Sequence, residues 1–133
     1  MWFTLFSLLS EQLSNDSNAM DKNDTPTIII KSGKTIRQIE IKNLLYIECD
    51  SYVCTLSMTD GSKTDCTYSL TYFEEKLSTW RFERISRNVI VSLRDVVAIK
   101  SKIGNRKTVM MKDGREFDIA FRKWKRFKDT FYK

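Results

Sequence analysis

From Thr27 onward the chain is written in short apolar runs cut by turn residues. "TIIIKSGKTIRQIEI" reads as two strands around a turn at Ser32–Gly33, the second alternating apolar and polar. "LLYIECDSYVCTLSMTDGSKTDCTYS" supplies strands near Leu45–Cys49, Tyr52–Met58 and Lys63–Tyr68. The last two are joined by the hairpin turn Thr59-Asp60-Gly61-Ser62. At Ser69 the period lengthens. Ser69 stands as an N-cap, and Leu70, Phe73 and Leu77 share one side of a helix of about two turns. "NVIVSL" and "VVAIKSK" are β-branched strands with a bend at Arg94–Asp95, and "KTVMMKDGREFDI" is a hairpin centred on Asp113–Gly114. The end, "AFRKWKRFKDTFYK", repeats Phe121, Trp124, Phe127 (or Lys128) and Phe131 at helical spacing, with Arg122, Lys123, Lys125 and Arg126 between them. That predicts a C-terminal helix with an aromatic stripe and a basic face. Together these give about eight or nine short strands, joined mostly by tight turns. The expected fold is mainly β, in small antiparallel sheets, with one short internal helix and a C-terminal helix. Without helices between the strands, a doubly wound nucleotide fold is excluded.

The first nineteen residues do not share this pattern. In "MWFTLFSLLSEQL", Trp2, Phe6, Leu9 and Leu13 fall on one helical face. The run is too short for a membrane span, which takes about 20 apolar residues. It also lacks the basic start and small-residue cleavage site of a signal peptide. "SNA" before Met20 resembles the scar left by a tag-removal protease. Residues 1–19 are therefore set apart, as tag-derived sequence or a docking helix, and residues 20–133 are read as one domain, the size one core supports.

Net charge is +6, and its placement changes the picture. Residues 101–133 hold eleven Lys/Arg against four Asp/Glu, leaving twelve against thirteen in residues 1–100. A basic end on a neutral body suits a polyanion or an anionic surface, with a merely solvated face as the plain alternative. There is no histidine, which removes Ser-His-Asp triads and histidine metal ligands. No phosphate loop occurs. The acidic groupings Asp60/Asp65 and Asp113/Glu116/Asp118 fit hairpins better than a metal cluster, and Glu74–Glu75 reads as a solvated pair. The chain is accordingly read as no enzyme, with no cofactor and no metal. Cys49, Cys54 and Cys66 show no C-x-x-C spacing; they read as buried reduced thiols of a cytoplasmic protein, with redox sensing as the minor alternative.

One stretch looks like two segments spliced: "RFERISRNVIVSL" starts with arginines and ends in a β-branched run. A core strand needs no arginines at its mouth. With "LLYIECDSYVCTLSMTDG" and "YSLTYFEEKLS" before it and a hairpin and basic end after it, this stretch resembles the LytTR DNA-binding domain. That family is the output module of many bacterial response regulators. The resemblance runs from about Ile39 to Lys128. Phe82, Arg84, Ile85, Arg87, Asn88, Ile90 and Val91 fit its central motif, whereas Ser86 replaces the usual His, Val89 an aromatic and Ser92 an Asn. At the end, Ala120-Phe121-Arg122 replaces a Ser-Arg or Ser-x-Arg.

The resemblance implies three small antiparallel sheets that meet DNA through loops. It places contacts at Asp50, Ser51 and Tyr52, at Ser86, Arg87 and Asn88 in the central motif, and at Arg122 with Lys123 beside it. Family members usually bind paired direct repeats, so the implied partner is double-stranded DNA, with a homodimer on the duplex as one arrangement. The residue chemistry agrees. Arginine can grip guanine O6/N7 through two hydrogen bonds and asparagine can pair with adenine N6/N7. Lys125 and Arg126 would neutralise phosphates. Set against this, Arg84 reads as the partner of an acidic neighbour, and Trp124 and Phe127 as core. The expected function is sequence-specific DNA binding by a transcription regulator, stand-alone or a fragment of a two-component response regulator. The alternatives are a module that keeps the fold but binds an acidic protein or lipid, and RNA binding through the aromatic-basic tail.

Overall fold

The computed structural model describes residues 25–132, so the expectations for residues 1–19 lie outside the described residues. β1 (Thr27–Ser32) and β2 (Thr35–Glu40) form a two-stranded ribbon. β3 (Leu44–Asp50), β4 (Val53–Met58), β5 (Lys63–Cys66), β6 (Phe82–Arg84) and β7 (Val89–Ser92) form a five-stranded sheet in the order β5-β4-β3-β7-β6. β8 (Val96–Lys102), β9 (Arg106–Met111) and β10 (Glu116–Ile119) form a three-stranded sheet. Every pairing is antiparallel. The helices are α1 (Leu70–Leu77) and α2 (Trp124–Phe131). The mainly β, small-sheet architecture read from the hydrophobic pattern is the architecture found.

The centre of the five-stranded sheet, β3 and β7, is buried on both faces, and adjacent residues feed two separate clusters. Ile47, Cys54, Leu56 and Ile90 pack with Ile28, Ile30 and Ile39 of the ribbon and with Leu70, Phe73 and Leu77 of α1. Leu45, Ile85 and Val91 pack with Val109, Met111, Phe117 and Ile119 of the three-stranded sheet and with Phe127 of α2. Ile90 and Val91 are neighbours on β7 that point to opposite sides, as pleating requires. Fully burying a side chain of this size stabilises by about 1.5–3 kcal/mol, so two clusters give the sheet an anchor on each face. A ring-edge contact between Tyr46 and Phe117, with centroids 4.9 Å apart, joins the two sheets. The Tyr46 hydroxyl donates to Asp113 Oδ2 at 2.6 Å. Burial, reinforced by that carboxylate, pushes the phenol up to about 12.

Local chemistry accounts for the ends of elements. The Ser69 hydroxyl accepts from the Tyr72 N–H at 3.1 Å and caps α1, as its sequence position predicts. At the β9–β10 turn Gly114 takes φ +94°, a conformation glycine adopts without strain. Three expectations change. The two-segment look of Arg81–Leu93 hides an extra strand: Phe82–Arg84 pairs with β7, so Arg87 and Asn88 sit in a hairpin loop rather than on a strand. The C-terminal helix begins at Trp124; Phe121 lies in a preceding 3-10 turn, is 85% exposed, and leaves the aromatic stripe. Glu74 is not simply solvated: it pairs with Arg84 at 3.2 Å.

Candidate nucleic-acid interface

Three loops converge at one end of the five-stranded sheet. The first is the β3–β4 turn. Asp50 and Val53 face each other in register, which leaves Ser51 and Tyr52 as a two-residue turn. Ser51 takes φ +58°, left-handed for a non-glycine residue, and Tyr52 is 88% exposed.

The second loop, Ser86–Asn88, joins β6 to β7 and is closed by Ile85 N–H donating to Val89 O at 3.0 Å. Arg84 holds it from within. Its Nε donates to Ser86 O at 3.2 Å and its Nη2 to Arg87 O at 2.7 Å. Its Nη1 reaches Glu74 Oε1 at 3.2 Å and Thr71 Oγ1 at 3.4 Å, both on α1. The Asn88 N–H donates to Ser86 Oγ at 3.2 Å. One guanidinium therefore fixes two consecutive carbonyls and leaves the Arg87 and Asn88 side chains exposed. Sequence reasoning paired Arg84 with an acid and missed this second task, because the acid lies on another element and the carbonyls carry no signature.

Backbone bonds tie the three loops together. Cys49 N–H donates to Asn88 O at 2.8 Å, joining the first loop to the second. Ala120 N–H donates to Ile85 O at 2.8 Å, joining the second to the corner between β10 and α2. In that corner Lys123 N–H donates to Ala120 O, forming a 3-10 turn that exposes Arg122.

Ser51, Tyr52, Arg87 and Asn88 line one cleft of about 470 Å³. Thr67, Tyr68 and Ser69, from the connection into α1, and Thr71 in its first turn also line it; of these only Ser69 was singled out from the sequence, as a helix cap. Asp50, Ser86, Arg122, Lys123, Lys125 and Arg126 do not line it. Asp50 is exposed at the end of β3 and Ser86 is half-buried at the start of the second loop. The four basic residues run along the corner and α2.

The basic charge of the last third is not evenly available. Lys102, Arg106, Lys112 and Arg115 pair with Glu116, Asp118, Asp95 and Glu48. Arg126 Nε meets Glu83 Oε2 at 2.8 Å, with the Glu83 side chain only 9% exposed. Burial pushes the Glu83 carboxyl above its usual range, opposed by Arg126. Arg122, Lys125 and Lys128 are exposed on the corner and α2, and Lys123 is half-buried beside Glu83. Phe127 is fully buried and Trp124 half-buried, with Lys107 and Lys128 ammonium groups 5.3 and 5.9 Å from its ring centre. Phe127 is thus core, and the exposed cations Arg122, Lys125 and Lys128 lie along the corner and α2.

The cysteines depart from expectation. Cys49 and Cys54 face each other across β3 and β4 and are joined as a disulfide, with Cα atoms 4.1 Å apart. Only Cys66 is a free, buried thiol. The sequence reading of three reduced thiols missed the pairing because it needs the register set by a turn with no glycine.

Among the described residues no group of His, Cys, Asp or Glu could hold a metal ion. Among them no helix is long and apolar enough to cross a membrane.

Comparison with known proteins gives one family. Residues 34–131 match the LytTr DNA-binding domain. The fold is similar to the LytTr DNA-binding domain of a protein described as a methyl-accepting/DNA response regulator from Bacillus cereus. The TM-score is 0.69 at 18% identity, over 80% of this chain and 96% of that one. No curated protein matches.

Proposed function

Because this chain belongs to the LytTR DNA-binding domain family, we propose that it binds double-stranded DNA sequence-specifically and regulates transcription. It acts in the cytoplasm of a bacterium, either alone or as the output part of a longer two-component response regulator. The observation that carries the proposal is the hydrogen-bonded chain of loops, Cys49 N–H to Asn88 O and Ala120 N–H to Ile85 O. It supports a rigid edge offering Ser51 and Tyr52, Arg87 and Asn88, and Arg122 to one duplex. Arg87 and Asn88 read base edges; Arg122, Lys123 and Lys125 hold phosphates and set register. Ser86, in the position the family usually gives to His, uses its hydroxyl to hold the Asn88 N–H instead of reaching outward. Paired direct repeats, each taking one copy, suit so small a footprint.

The test is a binding titration against duplex selected from a random pool, random duplex and single-stranded RNA. Selected duplex is expected to win by about 4 kcal/mol or more over random duplex, with affinity falling steeply as salt rises. Arg87→Ala should flatten the preference, and Lys125→Ala should weaken all duplexes alike and reduce the salt slope by about one. If Arg87→Ala alters neither affinity nor preference, base reading by this loop is wrong. Equal binding to all three nucleic acids would favour the interaction-module alternative.

A further inference from the structure

We propose that Cys49–Cys54 is a reversible thiol–disulfide site, reacting with small dithiols and disulfides through the cleft and governing the order of the Ser51–Tyr52 turn. The chemistry stands on geometry alone; its effect on DNA rests on the function proposed above. Cys49 and Cys54 are the last facing pair before Asp50 and Val53, which close the turn. The bond therefore encloses the segment carrying Ser51 at φ +58° and the exposed Tyr52. The two sulfurs differ in access. Cys49 is half-buried and lines the cleft alongside Arg84 and Arg87. Cys54 is fully buried. Cys66 faces Cys54 from β5 on its other side. Burial pushes the Cys66 thiol up, so it keeps its proton and does not compete as a nucleophile.

Exchange consequently runs through Cys49. One thiolate of a small dithiol attacks Cys49 Sγ. The protein S–S bond breaks, and its electron pair leaves on Cys54, which takes up a proton. The reagent's second thiol, deprotonated, then attacks its own sulfur in the mixed disulfide and expels Cys49 as a thiolate. The reagent departs as a cyclic disulfide, having given two electrons and ended two protons poorer. A small disulfide reverses the sequence.

Once reduced, the turn is held by backbone bonds alone, and DNA binding must order it. Reduction is expected to weaken binding to selected duplex by roughly threefold to tenfold, because ordering that the crosslink had provided in advance falls on the binding step. The full chain is prepared without reductant, and half is treated with dithiothreitol. Intact mass should rise by two hydrogens, and brief alkylation should mark Cys49 before Cys54. Duplex affinity should drop on reduction and return after glutathione disulfide. The Cys49→Ser/Cys54→Ser variant should bind with the reduced affinity under both conditions, while Cys66→Ser should respond like the parent. Should that double variant fail to fold, the two states of the parent chain still carry the comparison.

No mass gain, or alkylation of Cys54 first, overturns the site; equal duplex affinity of the two states overturns the coupling. If neither state binds any duplex, the DNA reading fails, and mass and alkylation decide the thiol site by themselves.

Discussion

Replacing Arg84 with alanine tests how the Ser86–Asn88 loop is held. The wild-type guanidinium makes two hydrogen bonds to carbonyls, Ser86 O at 3.2 Å and Arg87 O at 2.7 Å, and its side chain is only 21% exposed. Bonds from a charged donor contribute about 1.5–3 kcal/mol each when shielded, and these lie near the surface, so roughly half that range applies. The pair with Glu74, whose side chain is 42% exposed, adds less than about 1 kcal/mol. Arg84→Ala should therefore cost about 2–3 kcal/mol, lowering Tm by roughly 10–20 °C for a domain of this size. Arg84→Lys keeps a charge near Glu74 but cannot fork onto both carbonyls, so about half the loss should remain. Urea denaturation gives the global cost. Amide exchange at Cys49, whose N–H rests on Asn88 O, reports the loop itself. The alanine variant should exchange there faster than its lowered global stability explains. If Arg84→Ala loses less than about 0.5 kcal/mol and Cys49 exchange is unchanged, the clamp is decorative and the reasoning fails.

Two further outcomes follow from the packing around α2. Phe127→Ala removes a fully buried ring and should destabilise by about 3–5 kcal/mol, with an altered tryptophan fluorescence as Trp124 loses its neighbour 6.1 Å away; a loss under about 1 kcal/mol would show that α2 is not docked as described. Glu83 is the pH probe. Its folded carboxyl titrates above the ordinary value, so its contribution to stability is fully present below the ordinary glutamate range and is lost as pH rises through the raised folded value. Glu83→Gln should accordingly be at least as stable as the parent at pH 7, with the difference shrinking in acid; a variant clearly less stable at pH 7 would show that the Arg126 pair outweighs burial.

Much of the fold could be read from period alone. Nine of the strands stand out as β-branched or alternating runs, and Ser69 marks the start of α1. What escaped was set by contacts distant in sequence. Phe82–Arg84 is too short to show a period, and only pairing with β7 makes it a strand. Phe121 fits the aromatic spacing on paper, yet the Ala120 bond to Ile85 turns the chain there and swings the ring outward. Arg87, Asn88 and Arg122 were named from a resemblance, and the structure exposes all three. Thr67 and Tyr68 looked like a plain connection, and Ser69 and Thr71 like the start of a helix, because hydroxyls carry no further pattern until a cleft faces them.

Ile90 and Val91 commit β7 to both hydrophobic clusters at once. A shift of that strand by a single position would exchange the contents of the two interiors, so each cluster vetoes the slip on behalf of the other. The same shift would carry Asn88 along by about 3.3 Å, close to the 3.4 Å between stacked bases. Interior side chains thus fix where the Ser86–Asn88 loop stands, and on the DNA reading proposed above, changes inside the molecule would move that loop without any surface residue being touched.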